Sequence, residues 1–384
     1  MHILELVYVF PPYGGGFCIE QARALKARGH EVRILSCVQL GIKIEPWTYL
    51  TARLGRWTEM VPKTNEVENG LQVEAYRTFY HGLPLSIHYN QKRWCNIMLS
   101  MYQDYKKKYG KPDILHAHGV QWTGVAAQMI SQKEDIPYYI TEHTSSILYD
   151  EVYGEGWQKD LWGKELIRNA YKNAKCVIPV AEELVDNLAP LFGKDYKHKA
   201  ISNIIDTDFF AFKEREPLDG RPFRFCCLAR GDVYGKGFDV LSKVMKELPH
   251  VELHIAGKET KSAEMQQLFE GMDNVHFHGT LDKEGVRSLL YHCDALVLAS
   301  RCEAQPLVLL EAMSTGIPVV STECTPKIER IDGYCLIAEI GEAKTLCEAM
   351  KKATHILPSQ ELSSKVKAIA SPQAVAKQIE EVFR

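Results

Sequence analysis

The stretch Arg301–Pro318, RCEAQPLVLLEAMSTGIP, limits what this chain can fold into more than any other. Just upstream, Asp294–Ser300 (DALVLAS) is a short apolar run of the kind that makes a buried parallel strand. Downstream, Gly316 and Pro318 stop a helix after about three turns, and Val319–Ser321 resumes as a strand. Pro306 suits the first helical position, where a missing N–H is not needed. The spacing therefore predicts a βαβ unit with Glu303 in its first loop. From Leu307 to Met313 every residue except Glu311 is apolar, so this helix is expected to be buried on all sides. Glu311 lies one turn above Leu307 and Val308. Burying a lone carboxylate costs several kcal/mol, so it needs either a structural Arg or Lys or a ligand. Ligands of open α/β sheets sit at the carboxyl ends of strands, against helix N-termini that attract anions. A carboxylate beside such an anion site suits a molecule with hydroxyls next to phosphate, as in a nucleotide.

At 384 residues the chain exceeds what one core usually serves, and two domains are expected. A net charge of -3 argues against a nucleic-acid partner. No apolar run approaches the roughly 18 residues of a membrane span. His2–Phe10 is apolar without a basic start or a cleavage site, and reads as a first strand rather than a signal peptide. Eleven cysteines without a C-x-x-C pair imply reduced, buried thiols and a cytoplasmic protein. His116 and His118 could imitate a metal pair on one strand face, but the sequence indicates no third ligand, and no metal site is assigned.

Apolar runs alternate with helical stretches, the pattern of two α/β domains. In the first half the candidate strands are Ile3–Val9, Val32–Ser36, Gln72–Tyr76, Ile114–His118, Tyr138–Thr141, Cys176–Val180 and Lys199–Ser202. The second half offers Phe225–Ala229, Val251–Ala256, Val275–His278, Ala295–Ala299 and Pro318–Ser321. Between them 205–224 is charged and carries Pro217 and Gly220, which reads as a linker. The expected division is 1–204, the linker, 225–371 and a last helix over 372–384 with the stripe Val375, Ile379 and Val382. Gly41–Trp57 and Phe79–Trp94 mix aromatic, apolar and basic residues without periodicity. They read either as loops at a membrane face or acceptor rim, or as loops packing on their own domain. Tyr105–Lys111 reads as the solvated basic end of a helix.

Several strand ends carry groups that could do chemistry. Pro11–Gly16 follows the first strand and precedes a helix closed by Gly29, so Gly15 and Gly16 would let backbone N–H groups approach a ligand. It matches neither G-x-G-x-x-G nor a P-loop. Arg230 and Lys236 flank a glycine-bearing loop in the second half and could neutralise a diphosphate, or could simply be solvated. His118, Glu142 and His143 end consecutive strands of the first half, at the edge where sites are built. Asp206-Thr207-Asp208 resembles a metal-binding D-x-D, but lies in the linker and is read as coincidence.

Taken in order, Pro11–Gly15, Arg28-Gly-His-Glu-Val32, His116-Ala-His-Gly119, Ile201-Ser-Asn-Ile-Ile-Asp206, Arg230 with Lys236, Val275-His-Phe-His-Gly279 and Glu303 through Val320 resemble the glycosyltransferases of family four, retaining enzymes of the GT-B fold. The resemblance implies two Rossmann-like α/β domains facing across a cleft, the second binding a UDP- or GDP-linked sugar and the first shaping the acceptor pocket. The last helix would cross back onto the first domain. It implies that Glu311 holds the ribose hydroxyls, Leu307 and Val308 offer N–H groups to phosphate, Arg230 and Lys236 take the diphosphate, and Glu303 the donor sugar. His118 would orient that sugar, and His278 would lie where a strand end meets the base. Glu142 and His143 would stand on the acceptor side. Many relatives have Gly-Phe-Gly after the first glutamate; here Ala304-Gln305-Pro306 intervenes, and Pro306 has no N–H, so Gln305 is a candidate replacement contact. The activity implied is transfer of a hexose-type sugar to a glycan or lipid-linked acceptor, without a cofactor or metal, in cell-surface polysaccharide synthesis. A sugar epimerase or phosphorylase, or a nucleotide-sugar-binding protein without catalysis, would fit the same architecture.

Overall fold

The computed structural model describes residues 1–8, 16–40, 61–62, 73–81, 87–143, 161–215 and 218–384. The chain divides into two compact units. One takes the described residues up to 204 together with Val375–Arg384, and the other contains Ile205–Ala374.

The first unit is built on strands β1 (His2–Val7), β2 (Glu31–Leu40), β3 (Val61–Pro62), β4 (Glu74–His81), β5 (Ile114–His118), β6 (Tyr138–Glu142) and β7 (Cys176–Pro179). They form one sheet in the order β3-β4-β2-β1-β5-β6-β7, parallel except where β3 meets β4. Helices α1 (Gly16–Ala27), α2 (Ile87–Tyr109), α3 (Val125–Glu134), α4 (Leu161–Asn173) and α5 (Glu183–Phe192) accompany it. β1 pairs with β2 and β5, which makes it central and explains why it is apolar along nearly its whole length. Its exception is Glu5, which is fully buried. On α1 the buried residues Cys18, Ile19, Ala22 and Leu25 recur at helical spacing.

The second unit carries β8 (Phe223–Leu228), β9 (Val251–Ala256), β10 (Val275–Gly279), β11 (Ala295–Val297), β12 (Val319–Thr322) and β13 (Cys335–Ala338). These make an all-parallel sheet in the order β10-β9-β8-β11-β12-β13. Its helices are α6 (Phe238–Glu247), α7 (Ala263–Leu268), α8 (Lys283–His292), α9 (Leu307–Ser314), α10 (Ala343–Ala353) and α11 (Gln360–Ala370). Two apolar clusters cover the two faces of the sheet, as parallel strands require. Helix α12 (Pro372–Phe383) closes the chain; Val375, Ile379 and Phe383 join the core of the first unit, and Val382 packs against it.

Some elements differ from their sequence reading. Phe79–Trp94 is not an aperiodic loop throughout, because β4 runs to His81 and α2 starts at Ile87. Trp94 is wholly buried and its Nε1–H donates to the Cys37 carbonyl at 2.7 Å. Gly41–Trp57 lies outside the described residues. Lys199–Ser202 forms no strand; it runs beside β7, with Lys199 N–H donating to Val177 O and Ile201 N–H to Pro179 O. β13 escaped the sequence reading because it is a four-residue edge strand, mostly half-buried. The stretch 205–224 is not a free tether. Ile205 N–H donates to Ala370 O, Phe210 is buried, Arg215 donates to Leu290 O and Thr315 Oγ1, and β8 already begins at Phe223. Asp206 and Asp208 of the D-x-D are each paired with a lysine, Lys283 at 3.0 Å and Lys367 at 2.7 Å. All eleven cysteines are free, eight of them buried. Among the described residues no helix is long and apolar enough to cross a membrane.

Trp94→Ala opens a cavity and strands the Cys37 carbonyl, and is expected to cost about 3–5 kcal/mol in urea unfolding. A loss below about 1 kcal/mol would contradict its place in the core.

Candidate active site

In the second sheet the strand order reverses between β8 and β11, and an open parallel sheet leaves a crevice at the carboxyl ends of the strands there. A cleft of about 570 Å³ opens at that point, with Leu228 and Leu298 in its wall. Arg230, Lys236, Glu303, Pro306, Leu307 and Val308 line it. Five of these six were sequence candidates, and the structure brings them together.

Two loops bring the charges there. The first, 229–237, leads from β8 into α6 and lies directly on neighbouring backbone. Gly237 has φ +67°, and a Cβ there would fall 1.9 Å from the Ala299 carbonyl oxygen; at Gly257 the corresponding distance to Ala229 O is 2.0 Å. Only glycine allows such approach. The second loop carries Arg301 and Glu303. Arg301 forks onto Asp239 at 2.7 and 2.8 Å, its backbone N–H donates to Gly235 O, and its guanidinium stacks on Tyr234 at 4.1 Å. This clamp fixes the two loops to each other. Lys236 Nζ then donates to Glu303 Oε1 at 2.6 Å, and Ser300 Oγ donates to the same oxygen at 2.6 Å. Arg230 is freer, its side chain 57% exposed and only loosely paired with Asp232 at 3.6 Å.

Helix α9 supplies the rest. Pro306 is its N-cap, with φ −77° and ψ 98°, and not its first helical residue. The N–H groups of Leu307 and Val308 therefore head the helix, where no intrahelical acceptor exists. Nor is the helix buried all round. Leu309, Leu310, Ala312 and Met313 are enclosed, whereas Leu307, Val308 and Glu311 form a half-buried stripe one turn long. The Glu311 carboxylate makes no hydrogen bond or ion pair with any described residue. Burial raises its carboxyl from the ordinary 4.5 to about 7, opposed only by the more distant charge of Lys283.

Two other donor-side candidates stand elsewhere. Gln305 is buried and does not line the cleft. His278 Nε2 lies 3.0 Å from His254 Nδ1, at the edge strand β10. In the first unit Gly16 opens α1 with open space where a Cβ would stand. Gly15 lies outside the described residues.

The first unit holds its histidines in a buried chain. His118 Nε2 lies 3.1 Å from Glu5 Oε2, His118 Nδ1 lies 3.0 Å from His143 Nε2, and His143 Nδ1 lies 2.9 Å from Asn203 Oδ1. Burial alone would raise the Glu5 carboxyl, but His118 and His116 together outweigh it and hold it low. Burial, then the charge of His118, pushes His143 well below its usual range. Glu5 is thus the third group that the sequence did not indicate beside His116 and His118. In this arrangement His118 has no free ring nitrogen to offer a sugar, and its side chain is 1% exposed. Glu142 is corrected outright. Its Oε2 accepts from Val120 N–H and Tyr171 O–H, both at 2.9 Å, so it serves the fold rather than an acceptor face.

Asp239, Arg301 and Glu5 were missed by the sequence reading. An acidic residue inside an apolar central strand is the same signal that singled out Glu311, and would have found Glu5. Nothing local marks Asp239 and Arg301, whose pairing spans 62 positions.

The family model for Glycosyltransferase Family 4 matches residues 15–209, just over half of the chain, and that for Glycosyl transferases group 1 matches residues 222–355. The chain belongs to glycosyltransferase family 4. It is similar to the putative teichuronic acid biosynthesis glycosyltransferase TuaC of Bacillus subtilis, 25% identical over 352 residues that cover 85% of this chain and 84% of TuaC. It is 28% identical to the sulfoquinovosyl transferase SQD2 of Arabidopsis thaliana over 220 residues, which cover 55% of this chain but only 42% of SQD2. The structure of HepE from Anabaena in complex with UDP and glucose superposes with a TM-score of 0.69 at 16% identity, covering 100% of this chain and 99% of HepE. Both units are accordingly Rossmann-like domains of the GT-B fold, and the protein is a glycosyltransferase.

The raised Glu311 carboxyl has a consequence for stability. Between about pH 4.5 and 7 the folded chain keeps a proton that the unfolded chain has released, so stability falls as pH rises through this window. Glu311→Gln removes the charge and is expected to stabilise the ligand-free protein at pH 8 by on the order of 2 kcal/mol, and to change it little at pH 4.5. Urea titrations at the two pH values test this; an equal change at both would be inconsistent with a buried, unpartnered carboxylate.

Proposed function

We propose that this protein is a retaining hexosyltransferase. It takes the sugar from a UDP- or GDP-linked donor and gives it to a glycan or lipid-linked acceptor in cell-surface polysaccharide synthesis. One observation carries the donor side: a carboxylate without a partner stands one helical turn from Leu307 and Val308, which head α9 and line a cleft bearing two cations. The ribose hydroxyls would complete Glu311, and the N–H groups of Leu307 and Val308 would meet phosphate.

In the reaction the bond between the anomeric carbon and the β-phosphate oxygen breaks, and its electron pair stays on that oxygen. Positive charge develops on the sugar while a polyanion departs. Lys236, fixed before the reaction by the loop and the clamp, and the more exposed Arg230 beside it stabilise that departing charge without a metal. Lys236 already sits against Glu303 at 2.6 Å, so a diphosphate adds a second anion to a cation that is held in place. Glu303, half of that pair, faces the donor sugar. The acceptor hydroxyl oxygen bonds the anomeric carbon on the face the phosphate leaves, and its proton passes to the departing phosphate oxygen. The name of TuaC supports a cell-surface polysaccharide as product, and the complex of HepE with UDP and glucose supports a uridine donor. His118 enters this reading through Glu5 and His143, its hydrogen-bonded neighbours, rather than as a free ring.

Arg230→Ala and Lys236→Ala are each expected to lower turnover of a labelled nucleotide sugar by roughly 100- to 1000-fold. Near-normal turnover in both would remove the assignment. An epimer or a sugar phosphate as the sole labelled product would replace transfer by isomerisation or phosphorolysis.

A further inference from the structure

A second cluster of ligating groups lies at the far edge of the second sheet, and none of its members lines the cleft. β10 is the edge strand and pairs with β9 so that His276 stands opposite His254. Glu252 and His254 are two apart on β9 and so share a face. Glu252 Oε2 is 3.5 Å from His254 Nε2, and a carboxylate oxygen of Glu252 and one ring nitrogen each of His254 and His276 lie within 4.8 Å of one another. The His254 and His276 rings are 4.8 Å apart. We infer that Glu252, His254 and His276 form a binding site for a divalent first-row metal ion, Zn2+ foremost.

The geometry fits such an ion. Two ligands at zinc bond lengths of about 2.0–2.1 Å, set at the tetrahedral angle, are about 3.3–3.5 Å apart. That is the separation found between Glu252 and His254. His254 is 94% buried, yet its Nε2 has no hydrogen-bond partner, an expensive state for an imidazole nitrogen unless something else meets it. Its other nitrogen, Nδ1, lies 3.0 Å from His278 Nε2. With the proton on Nδ1, donated to His278, the lone pair of Nε2 is turned to the site, which is how a neighbouring acceptor orients a metal-bound imidazole. Arg224 Nε donates to Glu252 Oε2 at 2.9 Å and orients the carboxylate, while Glu252 remains 24% exposed and His276 half-buried, leaving coordination positions open to solvent. Two imidazoles and a carboxylate suit Zn2+, Ni2+ or Cu2+ rather than Mg2+ or Ca2+. A bound ion would tie the edge strand β10 to β9 by side chains as well as by backbone.

The test uses the full chain, freed of metal by a chelator and titrated with Zn2+ against a chromophoric competitor. Saturable uptake of one ion is expected, with a rise in melting temperature. His276→Gln, at a half-exposed position, and His254→Ala are each expected to weaken that uptake by at least about tenfold, and His278→Ala by about tenfold through the lost orientation. Circular dichroism of His276→Gln separates loss of the site from loss of the fold. No saturable uptake, or uptake that His254→Ala and His276→Gln both leave unchanged, overturns the site.

Discussion

A half-buried Glu311 carboxylate with no hydrogen-bond partner among the described residues is the constraint from which the organisation of the second unit follows. A neutral residue in its place would pack on α9 at no electrostatic cost. The ligand-free fold instead tolerates a group whose charged form is disfavoured, with its carboxyl raised to about 7. Such a group persists where a ligand completes it, and stability given up at a binding site is a common accompaniment of function. The rest of the unit places that ligand: the reversal of strand order opens the crevice, α9 heads it with Leu307 and Val308, and one loop brings two cations to its rim.

The two loops at the cleft are rigid for reasons of packing. Glycine at 237 lets the first loop lie on the Ala299 carbonyl, and the Arg301–Asp239 fork fixes the second loop to the first. Lys236 and Glu303 can therefore meet at 2.6 Å before any substrate is present. A charge held in place needs no reorganisation when a diphosphate leaves, which is what makes fixed cations effective. The first unit follows the same logic with opposite content. Its central strand carries the buried Glu5, whose Oε2 meets His118 at 3.1 Å and whose Oε1 lies 3.5 Å from His116 without a hydrogen bond. Glu5 thus meets two histidines within the fold, whereas no described residue pairs with the Glu311 carboxylate.

Much of this was legible in the sequence, and the failures have physical causes. The βαβ unit around Glu303 and Glu311 could be read because a parallel strand, a helix stop and a resumed strand are local signals. Arg230 and Lys236 could be placed at the cleft because strand ends are where α/β folds build sites. Glu142 was misassigned by the same rule: it too ends a strand, but its carboxylate accepts from Tyr171 on α4, a contact no local pattern announces. His118 was read at a strand end facing a ligand and proved to be enclosed, because its partners Glu5 and His143 come from two separate segments. Trp94 was hidden in a stretch whose periodicity is diluted by polar residues, although α2 buries Trp94, Met98, Met101 and Tyr102 on one face.

The most direct measurement is a two-by-two binding cycle by calorimetry, pairing the wild type and Glu311→Gln with a nucleoside diphosphate and its 2′-deoxy form. If Glu311 is kept for the ribose hydroxyls, the wild type prefers the ribonucleotide by about tenfold or more, and Glu311→Gln binds the two forms almost equally. A preference for the ribose form that survives unchanged in Glu311→Gln, or no binding of either form to the wild type, would contradict it.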